Sequence, residues 1–430
     1  MHGRLRKQAV LHLGGLILLF SFSSGNAFAR TPASGGLLEE ARRLLSEGNL
    51  EEAARLARKE ISLHPAEGES WGLLGAIALQ QGEMRQAERA LECALRADDH
   101  DAEAGALLAI LWRREGRFPE AANLLRKIGG EAEAEQLATF GSASPFLQTG
   151  PDEVRLDWVG SGLRPVVRVL VAGMRYANFL VDTGASGVVL DRRLAEEIGL
   201  PAVGSARLLG AGARRTKGKL GRLDSLRLGA TEVRNIPVVT VDLSGSRNGS
   251  EPFEGILGSE FLRRFVVTLD YPKRRLWLRK PGTGRRTEGS LEAVSIPMLL
   301  TPGGLVAVPM EVAPRDRLLV FLDTGAAETD LALSRPAATW LGLAVRSRGD
   351  PYSGVGGRYL ALPILLPEVR FAGFRLHNVR GVVVPFPSRI EQGEGLALGG
   401  FLGSGFCRPF RVTIDFPHMR LRLALSERET

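Results

Sequence analysis

The sequence predicts a multidomain chain: an N-terminal α-helical solenoid, then an all-β region built from two related lobes. Three observations carry that reading. Small residues recur every 34 positions between residues 35 and 136. After residue 152, short β-rich runs alternate with Gly and Pro turns. Within that β-rich region Asp-Thr-Gly-Ala occurs twice, at residues 182–185 and 323–326, each time closing an apolar run. The expected divisions are a leader over 1–29, helical repeats over 35–136, a linker over 137–152, and lobes over 153–282 and 290–427.

The chain has 430 residues, 44% hydrophobic and 24% charged, a globular balance with room for several domains. Its first 29 residues read as a secretory signal. Arg4, Arg6 and Lys7 precede a short apolar stretch from Leu11 to Phe22, and Ala27-Phe28-Ala29 forms a cleavage site. That stretch is too short for a comfortable membrane span, so no stable span is expected once the signal is cleaved. The chain is therefore expected to be exported, to the periplasm or the medium. Removing residues 1–29 takes away three basic and no acidic side chains and lowers the formal charge from +8 to +5. That mild excess, scattered along the chain, argues against a nucleic-acid partner. Cys93 and Cys407 fall in different domains, and the six histidines form no His-Glu-x-x-His pair, so neither metal nor cofactor is expected.

In the helical region Gly48, Gly82 and Gly116 share one register, and Ala53, Ala87 and Ala121 share another. Trp71, Leu74, Gly75, Leu91 and Ala94 surround them, and Pro65 closes the first unit. The small residues are expected to let two antiparallel helices approach closely. The pattern resembles tetratricopeptide repeats and covers about three units. Such an array implies either docking of a protein partner or substrate, or a structural spacer. Residues 137–152 read as a linker.

The β-rich halves repeat each other. Hairpins are expected at 166–181 and 305–322. A Gly-rich turn follows each Asp-Thr-Gly-Ala, at Gly210–Gly212 and Gly354–Gly357. Each half then has two apolar residues and a glycine, Ile256-Leu257-Gly258 and Phe401-Leu402-Gly403. Each closes on a strand with an aspartate turn, at Asp270 and Asp415. Asp182 lies 76 residues before Gly258 and Asp323 lies 80 before Gly403; the spacings to Asp270 and Asp415 are 88 and 92. One four-residue insertion accounts for both offsets.

Over roughly 153–427 the chain resembles the aspartic peptidases of the retropepsin type, fused in tandem as in the pepsin-like enzymes. The resemblance implies an aspartic endopeptidase acting on a peptide or protein substrate. It assigns catalysis to Asp182 and Asp323, and support of their loops to Thr183, Gly184, Ala185, Thr324, Gly325 and Ala326. Two close carboxylates do not both ionise easily, so they share a proton; one takes a proton from water while the other donates to the scissile carbonyl. Which one starts protonated stays open, because the pair titrates as a unit. The resemblance also implies that each threonine hydroxyl bonds across to the opposite loop, and that the Gly-rich turns occupy the place of flaps. Tyr352 and Tyr359 flank the second of these.

Ala185 and Ala326 stand where pepsin-like enzymes usually carry Ser or Thr. With one hydroxyl donor fewer per carboxylate, a weakly acidic optimum is expected. The segments after the motif differ, Ser186-Gly187-Val188 against Ala327-Glu328-Thr329. Asp270 and Asp415 read as turn formers, and Asp191 and Asp330 as weak site candidates. The stretch from Gly212 to Lys219 has the wrong spacing for a phosphate loop, and no Gly-x-Ser-x-Gly elbow is present. The alternative reading is a non-catalytic peptide-binding module of the exported compartment.

Overall fold

The structure, a computed structural model, describes residues 11–12, 19–20, 36–209, 215–244, 251–283, 293–312, 315–326, 329–345, 349–354, 357–385 and 395–425. Of the expected leader, only Leu11–His12 and Leu19–Phe20 are among them. They run as short strands beside Tyr352–Ser353 and Leu208–Leu209. The basic start and the Ala27-Phe28-Ala29 site lie outside the described residues.

Seven helices follow: α1 (Leu37–Ser46), α2 (Leu50–Leu63), α3 (Gly68–Gln81), α4 (Met84–Ala97), α5 (Ala102–Glu115), α6 (Phe118–Lys127) and α7 (Glu131–Ala138). The first six form three pairs. Gly48, Gly82 and Gly116 turn the chain within each pair, with φ of 74°, 79° and 82°. At each turn the next residue's N–H reaches back to a carbonyl near the helix end: Asn49 to Leu44, Glu83 to Ala78 and Arg117 to Trp112. These glycines therefore serve left-handed turns, not the helix–helix contact expected of them. The alanines of the second register do pack between helices: Ala53, Ala87 and Ala121 are fully buried. Gly75 is a true close approach, since a Cβ there would lie 2.6 Å from Cγ of Leu91.

The helical turns rest on the β region. A Cβ on Gly48 would meet Leu319, one on Gly82 would meet Met419, and one on Gly116 would meet Pro145. Buried Arg114 donates to the carbonyls of Thr301 (2.5 Å) and Pro302 (3.2 Å). In return Arg264 and Arg263 donate to the Arg114 carbonyl, at the C-terminal end of α5 where the helix dipole favours cations. Arg113 pairs with Glu260 at 3.1 Å. Gln136 of α7 donates to the carbonyls of Gly221 and Val238.

Residues 137–152 are not a free tether. Leu147–Thr149 forms an edge strand against Glu232–Arg234, and Phe146 is buried beneath the Arg264 guanidinium, 4.5 Å from its ring centroid. The polar run Gly141–Ser144 suggested a linker, but one aromatic anchor and three paired residues dock it.

Each β half uses the same local weave. In the first, the hairpin Val166–Val171/Arg175–Val181 leads into Asp182. Strand Gly255–Leu257 lies parallel to residues 179–181 and antiparallel to Val188–Asp191. In the second, Val306–Val312 pairs with Arg315–Asp323, and Leu398–Gly403 runs parallel to that strand and antiparallel to Leu331–Ser334. A third, six-stranded sheet joins the halves in the order 294–297, 420–425, 410–415, 266–270, 275–279, 153–157. At its centre Thr268 faces Thr413, with their hydroxyls 2.9 Å apart. Residues pair symmetrically about that point, Val266 with Asp415 and Asp270 with Arg411, so a pseudo-two-fold axis passes between the two threonines.

Replacing Arg114 with Ala strips the Thr301 and Pro302 carbonyls of a buried charged donor. We expect a loss of about 2–4 kcal/mol in denaturant unfolding, with helical and β signals still lost in a single transition. Separate transitions in the wild type would contradict docking of the helices on the β region.

Candidate active site

The two Asp-Thr-Gly-Ala loops meet on the pseudo-two-fold axis. Each follows an apolar strand buried on both sides, so the chain has no freedom to slide; Val181 and Val320 to Leu322 are almost wholly inaccessible. Asp182 and Asp323 are themselves buried, 0% and 1% exposed, and their carboxyl groups hydrogen-bond to each other.

The threonines cross between the loops. The Thr183 N–H donates to Oγ1 of Thr324 at 3.1 Å, and the Thr324 N–H donates to Oγ1 of Thr183 at 3.1 Å. Each hydroxyl then donates onward to the opposite strand, Thr183 to the Leu322 carbonyl (2.6 Å) and Thr324 to the Val181 carbonyl (2.7 Å). The four bonds form a closed, reciprocal set with every donor and acceptor used.

The glycines make room for the carboxyl groups of the other half. A Cβ on Gly184 would lie 2.8 Å from Cγ of Asp323, and one on Gly325 would lie closer still to Asp182. Their N–H groups also serve the carboxylates. Gly184 donates to Oδ1 of Asp182 at 2.8 Å; Gly325 and Ala326 donate to Oδ1 of Asp323 at 3.0 and 3.1 Å. Ala185 and Ala326 are fully buried, and their methyl groups supply no further donor. Gly258 and Gly403 let the apolar-apolar-Gly strands pass beside the loops. A Cβ on Gly258 would be 2.6 Å from the Ala185 carbonyl oxygen, and one on Gly403 would be 2.9 Å from that of Ala326.

Burial pushes the Asp323 carboxyl up to about 6, against the lowering effect of the Asp182 bond and the Ala326 and Gly325 amides. This carboxyl holds its proton more tightly in the folded state than in the unfolded chain. Its stabilising contribution is therefore complete below the unfolded value of 3.8 and is lost as the pH rises through about 6. Below about pH 6 the Asp323 carboxyl is therefore protonated, with the Asp182 carboxyl beside it.

The other aspartates have structural partners. Asp191 caps the helix Arg192–Glu197 through the Arg193 N–H (2.9 Å) and also accepts from the Leu243 N–H (2.8 Å). Asp270 accepts from the Lys273 N–H within its turn and from Arg411 (3.0 Å); Asp415 accepts from the His418 N–H and from Arg422 (3.0 Å). Asp330 is half-buried, and burial raises its carboxyl against the nearby charges of Arg408 and Arg380. Gly210–Gly212, the centre of the second Gly-rich turn, and Glu328 lie outside the described residues. Tyr352 and Tyr359 face each other in register across a hairpin whose ends, Gly354 and Gly357, pair directly.

A serine directly follows each apolar-apolar-Gly triplet and bonds to its loop. Ser404 Oγ donates to the Thr324 carbonyl at 2.8 Å, and Ser259 Oγ to the Ser186 carbonyl at 3.2 Å.

Residues 167–261 match a family model described as an aspartyl protease. The match spans Asp182, Thr183 and Gly184 and extends through Ile256-Leu257-Gly258, so it covers the weave of the first half. No curated protein matches the chain. Among the described residues no cluster of three or more His, Cys, Asp or Glu side chains is placed to hold a metal ion. No described helix is long and apolar enough to cross a membrane.

Thr324→Val keeps the shape but removes the hydroxyl that accepts from Thr183 and donates to Val181. Two buried groups then lack partners, and we expect about 2–4 kcal/mol of destabilisation in chemical unfolding. A loss below about 0.5 kcal/mol would mean that the crossed bonds do not hold the loops together.

Proposed function

We propose that the protein is an aspartic endopeptidase in which Asp182 and Asp323 activate one water molecule between two lobes. The observation that carries this reading is the mutual hydrogen bond of two buried carboxyls, held by the four reciprocal threonine bonds. The aspartyl protease match over residues 167–261 supports it for the first lobe. For the second lobe the support is the repeated weave around Asp323.

In this mechanism the ionised carboxyl takes a proton from the water as its oxygen attacks the scissile carbonyl carbon. The protonated carboxyl donates to the carbonyl oxygen, giving a neutral tetrahedral species. Collapse of that species breaks the C–N bond, with a proton passing from the pair to the leaving nitrogen. Neither carboxyl forms a bond to carbon. Gly184, Gly325 and Ala326 present N–H groups that orient the carboxyls, and Thr183 and Thr324 keep the lobes in register.

The helical pairs resemble tetratricopeptide repeats over three units. Their turn edge is occupied by the β region, so docking of a protein partner or substrate is assigned to the helix faces that remain exposed. The basic start, apolar stretch and Ala27-Phe28-Ala29 support export to the periplasm or medium.

The test is cleavage of a diverse peptide library by the chain from Arg30 onward, across pH 3–8. Asp182→Asn and Asp323→Asn are run in parallel, with pepstatin added to one wild-type sample. We expect each Asn variant to lose about 10³-fold or more of the activity. The descending limb of the wild-type profile is expected near pH 6, where the shared proton leaves, since the mechanism needs one carboxyl protonated. Equal cleavage by either variant would sink the shared-proton mechanism. Binding of one peptide by all three proteins without cleavage would favour a binding module.

A further inference from the structure

The two catalytic loops are symmetric in their backbone bonds but not in what lies behind them. Ser259 N–H donates to the Ala185 carbonyl at 2.8 Å and Ser404 N–H to the Ala326 carbonyl at 2.9 Å, so the two serines are equivalent. Their hydroxyls are not. Ser404 Oγ reaches the carbonyl of Thr324, inside the Asp-Thr-Gly triplet, whereas Ser259 Oγ reaches Ser186, beyond it. Among the described residues, Ser404 and not Ser259 has a second side-chain hydroxyl bonded to it, that of Tyr271 at 3.1 Å. In the repeat, Tyr271 follows Asp270 as Phe416 follows Asp415, and Phe416 has no hydroxyl.

The direction of this chain of bonds follows from valence. A carbonyl oxygen only accepts, so the single Ser404 hydrogen goes to Thr324. With Cys407 donating its S–H to the Tyr271 oxygen, the phenol hydrogen goes to Ser404. The Thr324 carbonyl shares its peptide unit with the Gly325 N–H, which donates to Oδ1 of Asp323 at 3.0 Å. An unbroken path thus runs from the Tyr271 hydroxyl, through Ser404 and one peptide group, to the Asp323 carboxyl. Each bond polarises the next, so a donor at the carbonyl end strengthens the N–H at the other. All three side chains are buried: Tyr271 is 4% exposed, Ser404 0% and Asp323 1%. Tyr271 also spans the interface, since it directly follows the strand Val266–Asp270 of the first lobe while its N–H donates to the Phe410 carbonyl of the second.

We propose that Tyr271 is a positioning residue for Asp323, acting through Ser404 and the Thr324–Gly325 peptide to orient its carboxyl. The proposal rests on the shared-proton reading of the site. Burial keeps the phenol neutral far into the basic range, so it remains a donor throughout the working pH range. The titratable groups facing the path are Asp182 at one end and Cys407 beside Tyr271 at the other, with Asp330 beyond Cys407. Phe416 makes this support one-sided, so the proposal assigns the two carboxyls different surroundings despite their matched loops.

The experiment uses Tyr271→Phe in the chain from Arg30 onward, with Ser404→Ala as a second variant and Ser259→Ala as the first-lobe counterpart. A weaker Gly325 donor favours the protonated form of Asp323. We expect the descending limb of kcat/KM to move up by about 0.3–0.5 pH unit in Tyr271→Phe and further in Ser404→Ala. kcat is expected to fall several-fold with KM unchanged, while Ser259→Ala keeps the wild-type limb. Carbon-detected NMR titration of the Asp323 carboxyl reads the same displacement without relying on turnover. An inactive wild type would thus defeat the peptidase reading while the titration still decides this one. A Tyr271→Phe protein with lowered Tm but an unmoved limb and an unmoved carboxyl titration would reduce Tyr271 to packing. An equal displacement in Ser259→Ala would overturn the asymmetry.

Discussion

Two carboxyl groups repel when both are ionised, and burial makes each harder to ionise. Everything around Asp182 and Asp323 answers that constraint. The loops are pinned by four threonine bonds that use both backbone amides and both hydroxyls. Neither loop can withdraw without leaving buried polar groups unpaired, which costs about 1–3 kcal/mol for each group. The absence of a Cβ at Gly184 and Gly325 then lets each carboxyl enter the space beside the opposite loop. Close approach of the two carboxyls is thus enforced by neutral groups, and burial holds the Asp323 carboxyl protonated up to about pH 6.

The same axis organises the far side of the β region. Thr268 and Thr413 meet across the central strands of the six-stranded sheet as Thr183 and Thr324 meet at the loops. A duplicated unit needs self-complementary contacts wherever the axis passes, and a hydroxyl, which both donates and accepts, satisfies that condition with one residue type. Away from the axis the halves are free to diverge. The chain does so at Tyr271 and Phe416, at Ser186 and Ala327, and at Asp191 and Ser334. The last two cap equivalent helices with different side chains.

The duplication was legible because close approach leaves strict marks. Asp-Thr-Gly-Ala, the apolar-apolar-Gly triplets and the aspartate turns each reflect a position where little else fits; the single four-residue insertion expected from the spacing is instead two insertions of two residues, one just after the motif and one before the apolar-apolar-Gly strand. The helical repeat was legible for the same reason, but the role of its glycines was not. Gly48, Gly82 and Gly116 have the same spacing whether they separate helices or turn between them, and only φ distinguishes the two. The docking of residues 137–152 was hidden because it depends on Phe146 and three edge-strand residues set in a polar run. The bond from Ser404 to Thr324, within the second half, joins residues 80 positions apart, and no local pattern specifies which carbonyl a serine reaches.

The helical array bears on the site through the strand that carries Asp323. Side chains alternate along Arg315–Asp323. Leu318, Val320 and Leu322 join the main β core, while Leu319 and Phe321 join a cluster with Leu38, Leu45 and Leu50 of the first helices. Ala326, beside the second carboxyl, belongs to that same cluster. Gly48 therefore has two reasons to be glycine: its left-handed turn, and the Leu319 side chain that a Cβ would strike at 2.6 Å. Helix packing reaches the strand four residues before Asp323 on one face, and the β core holds the other. The first strand is backed by later helices: Phe179 and Val181 share the main core with Phe118, Leu125, Ala134 and Leu137, and Ala132 of α7 packs against the cluster of Ala185, Val166, Leu180 and Val189. A repeat array serving only as a docking arm would not need to bury the back of the second strand. Its position makes the helices part of the framework that holds one carboxyl against the other.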